Sequence, residues 1–130
     1  MNIDQRKEKA LELRSKGCNC CQSVVLACSD LVDVDSEVLR QIAAGFGGGM
    51  GCMEATCGAL NGAVMIAGLI SEGNRTTLLS RKILKDFEGM CKATRCKDLK
   101  GIGTGVVLCE CPDCIRNAIV ALTNNVEISQ

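Results

Sequence analysis

The stretch GFGGGMGCMEATCGALNGAVMIAGL, residues 45–69, decides the fold of this chain. Glycine dominates its first part, and its second part, from Cys57 onward, is apolar and rich in glycine and alanine. Each glycine inside a helix costs about 1 kcal/mol relative to alanine, a cost that is reasonable where neighbouring helices pack directly on the backbone. We therefore predict an all-α, single-domain bundle of about five to seven helices, covering residues 1–130, around a central small-residue helix.

The segments on either side of this stretch have the apolar spacing of amphipathic helices. Asn74 is predicted to cap the helix after the central one, and Cys111 to cap the last helix, with Pro112 at its first position. Ile42 and Met90 are predicted to lie on the buried faces of their helices. A short extended piece is expected at residues 106–108.

The composition excludes several classes of function. Fifteen Lys and Arg residues balance fifteen Asp and Glu residues, and the aromatic residues are limited to Phe46 and Phe87. Without a basic surface or stacking side chains, the chain is not expected to bind nucleic acid. The absence of histidine removes Ser-His and Cys-His catalytic pairs and all histidine-containing metal sites. The most apolar run, residues 55–70, is shorter than the roughly 20 residues that a membrane span needs.

Eleven cysteines in 130 residues are typical either of a secreted disulfide framework or of a metal or redox site. The charged N-terminal sequence MNIDQRKEKALELRSKG has no apolar signal-peptide core, and the number of cysteines is odd. Both observations favour a cytoplasmic protein whose thiols are kept reduced and bind metal or undergo redox chemistry.

Most of the cysteines fall into four clusters at predicted helix ends or in loops. The clusters are Cys18/Cys20/Cys21, Cys52/Cys57, Cys91/Cys96 and Cys109/Cys111/Cys114. Because the chain has no histidine, a zinc ion or an iron–sulfur cluster would need thiolate ligands from several of these segments. The spacing therefore indicates a thiolate centre without identifying its metal. Cys28 lies on an apolar helical stripe and is predicted to be a core residue.

Two further features are candidates for chemistry. Cys111 and Cys114 form a C-x-x-C pair at a predicted helix start, where a thiolate is stabilised, and are a candidate catalytic dithiol. The same spacing suits two ligands of one metal, with Cys109 as a third. The glycines of the loop are candidates for close backbone approach to a cofactor, and a tight connection between helices is the alternative interpretation. These glycines are Gly47, Gly48, Gly49 and Gly51.

Several motifs resemble those of the C_GCAxxG_C_C family of small redox-active proteins. The sequence CGALNG, residues 57–62, is similar to the C-G-A-x-x-G signature of that family, and the preceding glycine loop also fits. Three further elements agree in order and spacing: NCCQSV at 19–24, RCKDL at 95–99 and CPDCI at 111–115. The resemblance covers almost the whole chain. It implies four family cysteines, which are Cys20, Cys57, Cys96 and Cys111.

The resemblance implies a redox-active protein, and the thiol pattern makes this more specific. We expect the four family cysteines to bind an iron–sulfur cluster or another metal–thiolate centre for electron transfer. One alternative is a metal-free thiol–disulfide oxidoreductase or redox sensor that uses Cys111 with Cys114, or Cys20 with Cys57 or Cys96. Another is a structural zinc site in a helical interaction module. The expected partners are a redox protein and, through the resemblance, a transport system, and the sequence is compatible with a homo-oligomer.

Overall fold

In the computed structural model, which describes residues 1–126, the chain folds into seven α-helices around one core. The helices are α1 (Ile3–Ser15), α2 (Cys20–Ala27), α3 (Ser36–Ala43), α4 (Gly58–Ile70), α5 (Thr76–Cys91), α6 (Cys96–Leu99) and α7 (Cys111–Asn125). The described residues contain no β-strand, so the all-α prediction is confirmed and the extended piece at 106–108 is not a strand. Residues 127–130 of the predicted domain lie outside the described part.

Helix α4 is the centre of the bundle, as the sequence predicts. It packs against α2, α5 and α7. A methyl group added at Gly62 would lie 3.0 Å from the backbone oxygen of Cys21 on α2. Ala59, Ala63 and Ile66 are fully buried on the same helix. The small residues of α4 therefore let α2 approach its backbone, which explains why glycine is tolerated inside this helix.

The two helix caps predicted from the sequence are both wrong. Arg75, in a left-handed conformation, precedes α5 in place of Asn74. Glu110 is the N-cap of α7, so Cys111 is its first residue and Pro112 its second. Proline fits there because the first N–H groups of a helix have no partner within it, and a missing N–H costs nothing.

Two predicted core residues are exposed. Ile42 is 55% exposed and Met90 is 37% exposed. Helix α3 is only two turns long and packs on α2 through Leu39 and Ala43, which are four residues apart and therefore share one face. Ile42 falls outside that narrow face, so hydrophobic spacing alone overestimates what a short helix buries.

Within residues 1–126, no helix combines the length and the hydrophobicity that crossing a bilayer would require.

A buried ion pair fastens α1 to the end of α2. The guanidinium of Arg6 is 2% exposed, donates to the backbone oxygen of Ala27 at 2.9 Å and lies 2.5 Å from Asp30 Oδ1. A buried cation without its partner is strongly unfavourable. Removal of the Asp30 carboxylate should therefore destabilise the fold more than its half-exposed position alone would indicate.

We expect Asp30→Asn to lower the free energy of unfolding at neutral pH, and this difference to shrink in acid. The hydrogen bond from Arg6 lowers the pKa of Asp30 below its unfolded value of about 3.9. The carboxylate therefore stabilises the fold fully above that value, and its contribution is lost as the pH falls through the folded pKa. Urea denaturation at neutral and acidic pH measures the difference. Asp33→Asn, at an exposed position nearby, is the control, and an equal effect of both variants would contradict the assignment.

Candidate thiolate site

The glycine loop runs from α3 to α4 through several left-handed residues, and it approaches two cysteines. Gly48, Gly49 and Gly51 all have positive φ. A methyl group at Gly49 would lie 2.7 Å from the Cβ atom of Cys96. The backbone N–H of Gly48 donates to the sulfur of Cys20. The loop is therefore both a tight helix connection and a close backbone approach to sulfur, and a cofactor-binding role for its glycines, Gly47 included, stays a prediction.

Cys57 is the N-cap of α4 and is held by backbone bonds to the segment before α6. Its N–H donates to the oxygen of Thr94 at 2.8 Å, and the N–H of Cys96 donates to the oxygen of Ala55 at 3.0 Å. A hydrogen bond from the Cys114 thiol, and the nearby backbone N–H groups of Ala59 and Leu60 in the first turn of α4, lower the pKa of Cys57. The start of the central helix thus stabilises a thiolate.

Three other sulfurs meet beside Cys57. The Sγ atoms of Cys91, Cys109 and Cys114 all lie within 4.8 Å of one another, and those of Cys91 and Cys109 are 3.3 Å apart. Cys91 ends α5, Cys109 lies just before α7, and Cys114 is in the first turn of α7. The thiol of Cys114 also donates to the sulfur of Cys57. We call these four residues the buried sulfur cluster, since each is at most 7% exposed.

The protons of this cluster are unevenly shared. Hydrogen bonds from Cys114 and from the amide of Asn117, whose Nδ2 lies 3.2 Å from the sulfur of Cys91, lower the pKa of Cys91 to about 6. The sulfurs of Cys57 and Cys91 compete for the single thiol proton of Cys114, and the pKa of Cys114 is raised. Burial raises the pKa of Cys109 to about 12. Without a cation the cluster therefore keeps some of its protons, and removing them all requires a compensating positive charge.

A second group of sulfurs lies closer to solvent. Cys20 and Cys111, each the first residue of its helix, share a hydrogen bond between their sulfurs and are both partly exposed. We call them the outer pair. Arg14 donates to the sulfur of Cys111, and the charge of Lys100 acts on it. The hydrogen bond from Cys20 and these two cations lower the pKa of Cys111 to about 5, and the pKa of Cys20 is raised because its thiol is the donor.

In the reduced, metal-free protein we expect iodoacetamide to alkylate Cys111 at half its maximal rate near pH 5. A free cysteine reaches that point near about pH 8.5. The lowered pKa keeps the thiolate, which is the reactive form, populated in mild acid. Peptide mass spectrometry after short exposures at each pH gives the profile. Arg14→Gln removes one donor to the sulfur and should move the profile to higher pH, and a profile like that of free cysteine would contradict the assignment.

Of the four predicted metal ligands, Cys20 and Cys111 form the outer pair and Cys57 belongs to the buried sulfur cluster. Cys96 belongs to neither group. Cys20 contacts Cys111, and Cys57 and Cys96 are near enough for their charges to affect the sulfur of Cys111 or each other. In the described part of the chain, Cys91, Cys109 and Cys114 form the one set of three potential ligand atoms mutually within 4.8 Å. Metal binding by Cys20, Cys57, Cys96 and Cys111 together therefore stays a prediction.

The C-x-x-C pair is divided between these two groups. The sulfur of Cys111 contacts Cys20, whereas that of Cys114 contacts the buried sulfur cluster. A dithiol made of Cys111 and Cys114 stays a prediction. Cys91 joins the cluster although no role is predicted for it, and Asn117 is missed altogether. The available signal is spacing, since Asn117 follows Cys114 by three residues in α7 and residues at this spacing are neighbours on the surface of a helix.

A family model described as "Putative redox-active protein (C_GCAxxG_C_C)" matches residues 18–125. The chain belongs to the C_GCAxxG_C_C family. The match includes the outer pair and the whole buried sulfur cluster, and it confirms the resemblance seen in the sequence motifs. No curated protein matches the chain. No solved structure matches it either.

Proposed function

We propose that this member of the C_GCAxxG_C_C family is a redox protein that binds a metal through the buried sulfur cluster. The observation that carries the proposal is the meeting of Cys91, Cys109 and Cys114 within 4.8 Å. The three sulfurs come from the end of one helix, a loop and the start of another. Dispersed segments that bring thiols to one buried point are typical of thiolate metal sites.

The residues fit such a centre in number, donor type and surroundings. Cys57, in contact with Cys114, supplies the fourth sulfur that tetrahedral zinc or an iron–sulfur cluster requires. The donors are all sulfur, which favours zinc, iron–sulfur clusters and copper(I) over magnesium or calcium. Asn117 donates to Cys91 and, at 3.9 Å, to Cys109, so it can orient two of the ligands and offset their negative charge.

An iron–sulfur cluster is the form of this centre that accounts for redox activity. When bound, it would supply a one-electron change, and buried thiolates and donated hydrogen bonds would set its potential. In this role the chain would exchange electrons with a partner protein in the cytoplasm, and its family resemblance suggests a transport system as the destination. Zinc in the same place would instead stabilise the fold without redox change.

Elemental analysis and a visible spectrum of the full chain, prepared without air, test the proposal. We expect iron and acid-labile sulfide together with visible absorption. Zinc alone, at about one ion per chain, would replace the electron-transfer proposal with the structural zinc alternative. A folded, colourless chain without metal would contradict both.

Single substitutions then separate the two candidate ligand sets. Cys20→Ser and Cys96→Ser should keep the metal if the buried sulfur cluster holds it. They should lose it if the four family cysteines are the ligands. Each variant loses one thiol. The metal content of the variant therefore shows whether the missing sulfur was a ligand.

A further inference from the structure

The loop between α6 and α7 displays aliphatic side chains to solvent. Ile102, Val106, Val107 and Leu108 are each between 44% and 59% exposed, and they lie within seven consecutive positions. Single exposed apolar residues are normal on a protein surface, whereas a contiguous group of them marks an interaction site. We call residues 102–108 the apolar loop.

Backbone contacts hold the apolar loop in one conformation. The N–H of Leu108 donates to the oxygen of Leu99 at 2.9 Å, and the N–H of Gly105 donates to the oxygen of Gly101 at 2.9 Å. A methyl group at Gly101 would lie 2.7 Å from the carbonyl carbon of Val106, so the loop closes tightly on itself. Because the loop is already ordered, docking of a partner on it costs little conformational entropy.

A cavity of about 350 Å³ opens beside the apolar loop. Two of its lining residues, Lys92 and Asp98, have opposite charges, and neither forms an ion pair within residues 1–126. The other lining residues are Ala93, Thr104, Val106 and Leu108. A partner with charges of one sign would be attracted by one of the two charged residues and repelled by the other.

We propose that the apolar loop and this cavity form the interface of a symmetric homodimer. Val106 and Leu108 line the cavity, and Val107 between them is 55% exposed, so Val107 of each copy can enter the cavity of the other. A two-fold interface uses the same surface twice, so Lys92 of each copy faces Asp98 of the other. A second copy of the chain therefore supplies both the aliphatic groups and the two charges that this surface leaves without partners.

The proposed interface adjoins the buried sulfur cluster. Lys92 directly follows Cys91, and Leu108 directly precedes Cys109. A second copy docked here would cover the surface next to these two cysteines and place the clusters of both copies on either side of the interface. The dimer requires no metal, so this inference does not rest on the proposed function.

Sedimentation velocity of the full chain between about 1 μM and 1 mM tests the dimer. The chain has a mass of 13.7 kDa, and a species of twice that mass is expected in the presence of a thiol reductant, which prevents disulfide links through the exposed Cys52. Val107→Asp should weaken the dimer by at least about a hundredfold, because it buries a charge that has no partner.

Val38→Asp is the matched control, since it adds the same charge at a valine of α3 that is 45% exposed. This variant should dimerise as the wild type does. A monomer at every concentration, or an equal effect of the two variants, would overturn the proposal.

Two charge reversals test the pairing across the interface. Lys92→Asp alone brings carboxylates together in the dimer, and Asp98→Lys alone brings ammonium groups together, so each variant should dimerise at least about tenfold more weakly than the wild type. Aspartate is accepted at position 92, where φ is 76°, because its short side chain tolerates the left-handed conformation.

An equimolar mixture of Lys92→Asp and Asp98→Lys forms both opposite-charge pairs again and should recover the dimer. This recovery requires an interface in which the same surface is used twice, and it also shows that each variant is folded. A mixture that is no more dimeric than each variant alone would overturn the proposal. Metal content, measured on the same samples, tests the metal proposal separately.

Discussion

Cys114→Ser is expected to abolish stoichiometric metal binding and lower the affinity for metal by more than about a hundredfold. Cys114 contacts each of the other three sulfurs of the buried sulfur cluster. A serine hydroxyl remains protonated at neutral pH and is a poor ligand for metals that prefer sulfur. Elemental analysis of the variant, prepared without air beside the wild type, measures the loss directly.

Cys28→Ser is the matched control for this experiment. Cys28 is as deeply buried as Cys114, but it lies near Arg6 at the end of α2, away from the buried sulfur cluster. Both variants place a hydroxyl in the core and should destabilise the fold to a similar degree, so a difference in metal content reports on ligation. Full metal content in Cys114→Ser, or equal loss in both variants, would contradict the assignment of Cys114 as a ligand.

Gly58→Ala is expected to destabilise the fold by about 2–3 kcal/mol, although alanine is normally the better helix former. The added methyl group would lie 2.5 Å from the backbone oxygen of Phe46 and 2.6 Å from the sulfur of Cys20. The oxygen of Phe46 belongs to the helical turn that follows α3, residues 44–46, and cannot move away without shifting the glycine loop, so the overlap is relieved only by separating α4 from its neighbours. Urea denaturation of the metal-free, reduced variant measures the change.

Gly89→Ala gives the opposite expectation for the same substitution. Gly89 lies within α5 with open space around the position of its missing side chain. Alanine there should raise stability by up to about 1 kcal/mol, because it reduces the freedom of the unfolded chain and suits the helix. If Gly58→Ala proved as harmless as Gly89→Ala, close packing at the start of α4 would not be the reason for glycine at position 58.

The sequence predicts best where one local rule decides the structure. The glycine and alanine spacing of α4 predicts a crowded central helix, and the packing of Gly62 against Cys21 confirms it. The starts of α1 and α3 also follow a local rule, since the side chains of Asn2 and Asp35 each accept a hydrogen bond from a backbone N–H two or three residues later. In each case the information lies within a few neighbouring residues.

The arrangement of the sulfurs could not be predicted in this way. Cys109, Cys111 and Cys114 lie within six consecutive residues, yet Cys111 contacts Cys20 while the other two contact Cys91. The direction of each sulfur depends on where α7 begins, and the sequence places that start one residue too late because it takes Cys111 as the cap. A shift of one residue rotates a helical side chain by about 100°, so spacing alone cannot decide which thiols meet.

The shared start of α7 couples the positions of Cys111 and Cys114. The two residues are three apart in the first turn of this helix, so a movement of the turn that displaces one sulfur also displaces the other. Thermodynamic linkage then requires reciprocity: any factor by which a metal bound at the buried sulfur cluster changes the acid dissociation constant of Cys111 is the factor by which ionisation of Cys111 changes the affinity for metal. Metal binding in the core would therefore shift the pH at which a partly exposed thiol reacts with an alkylating reagent.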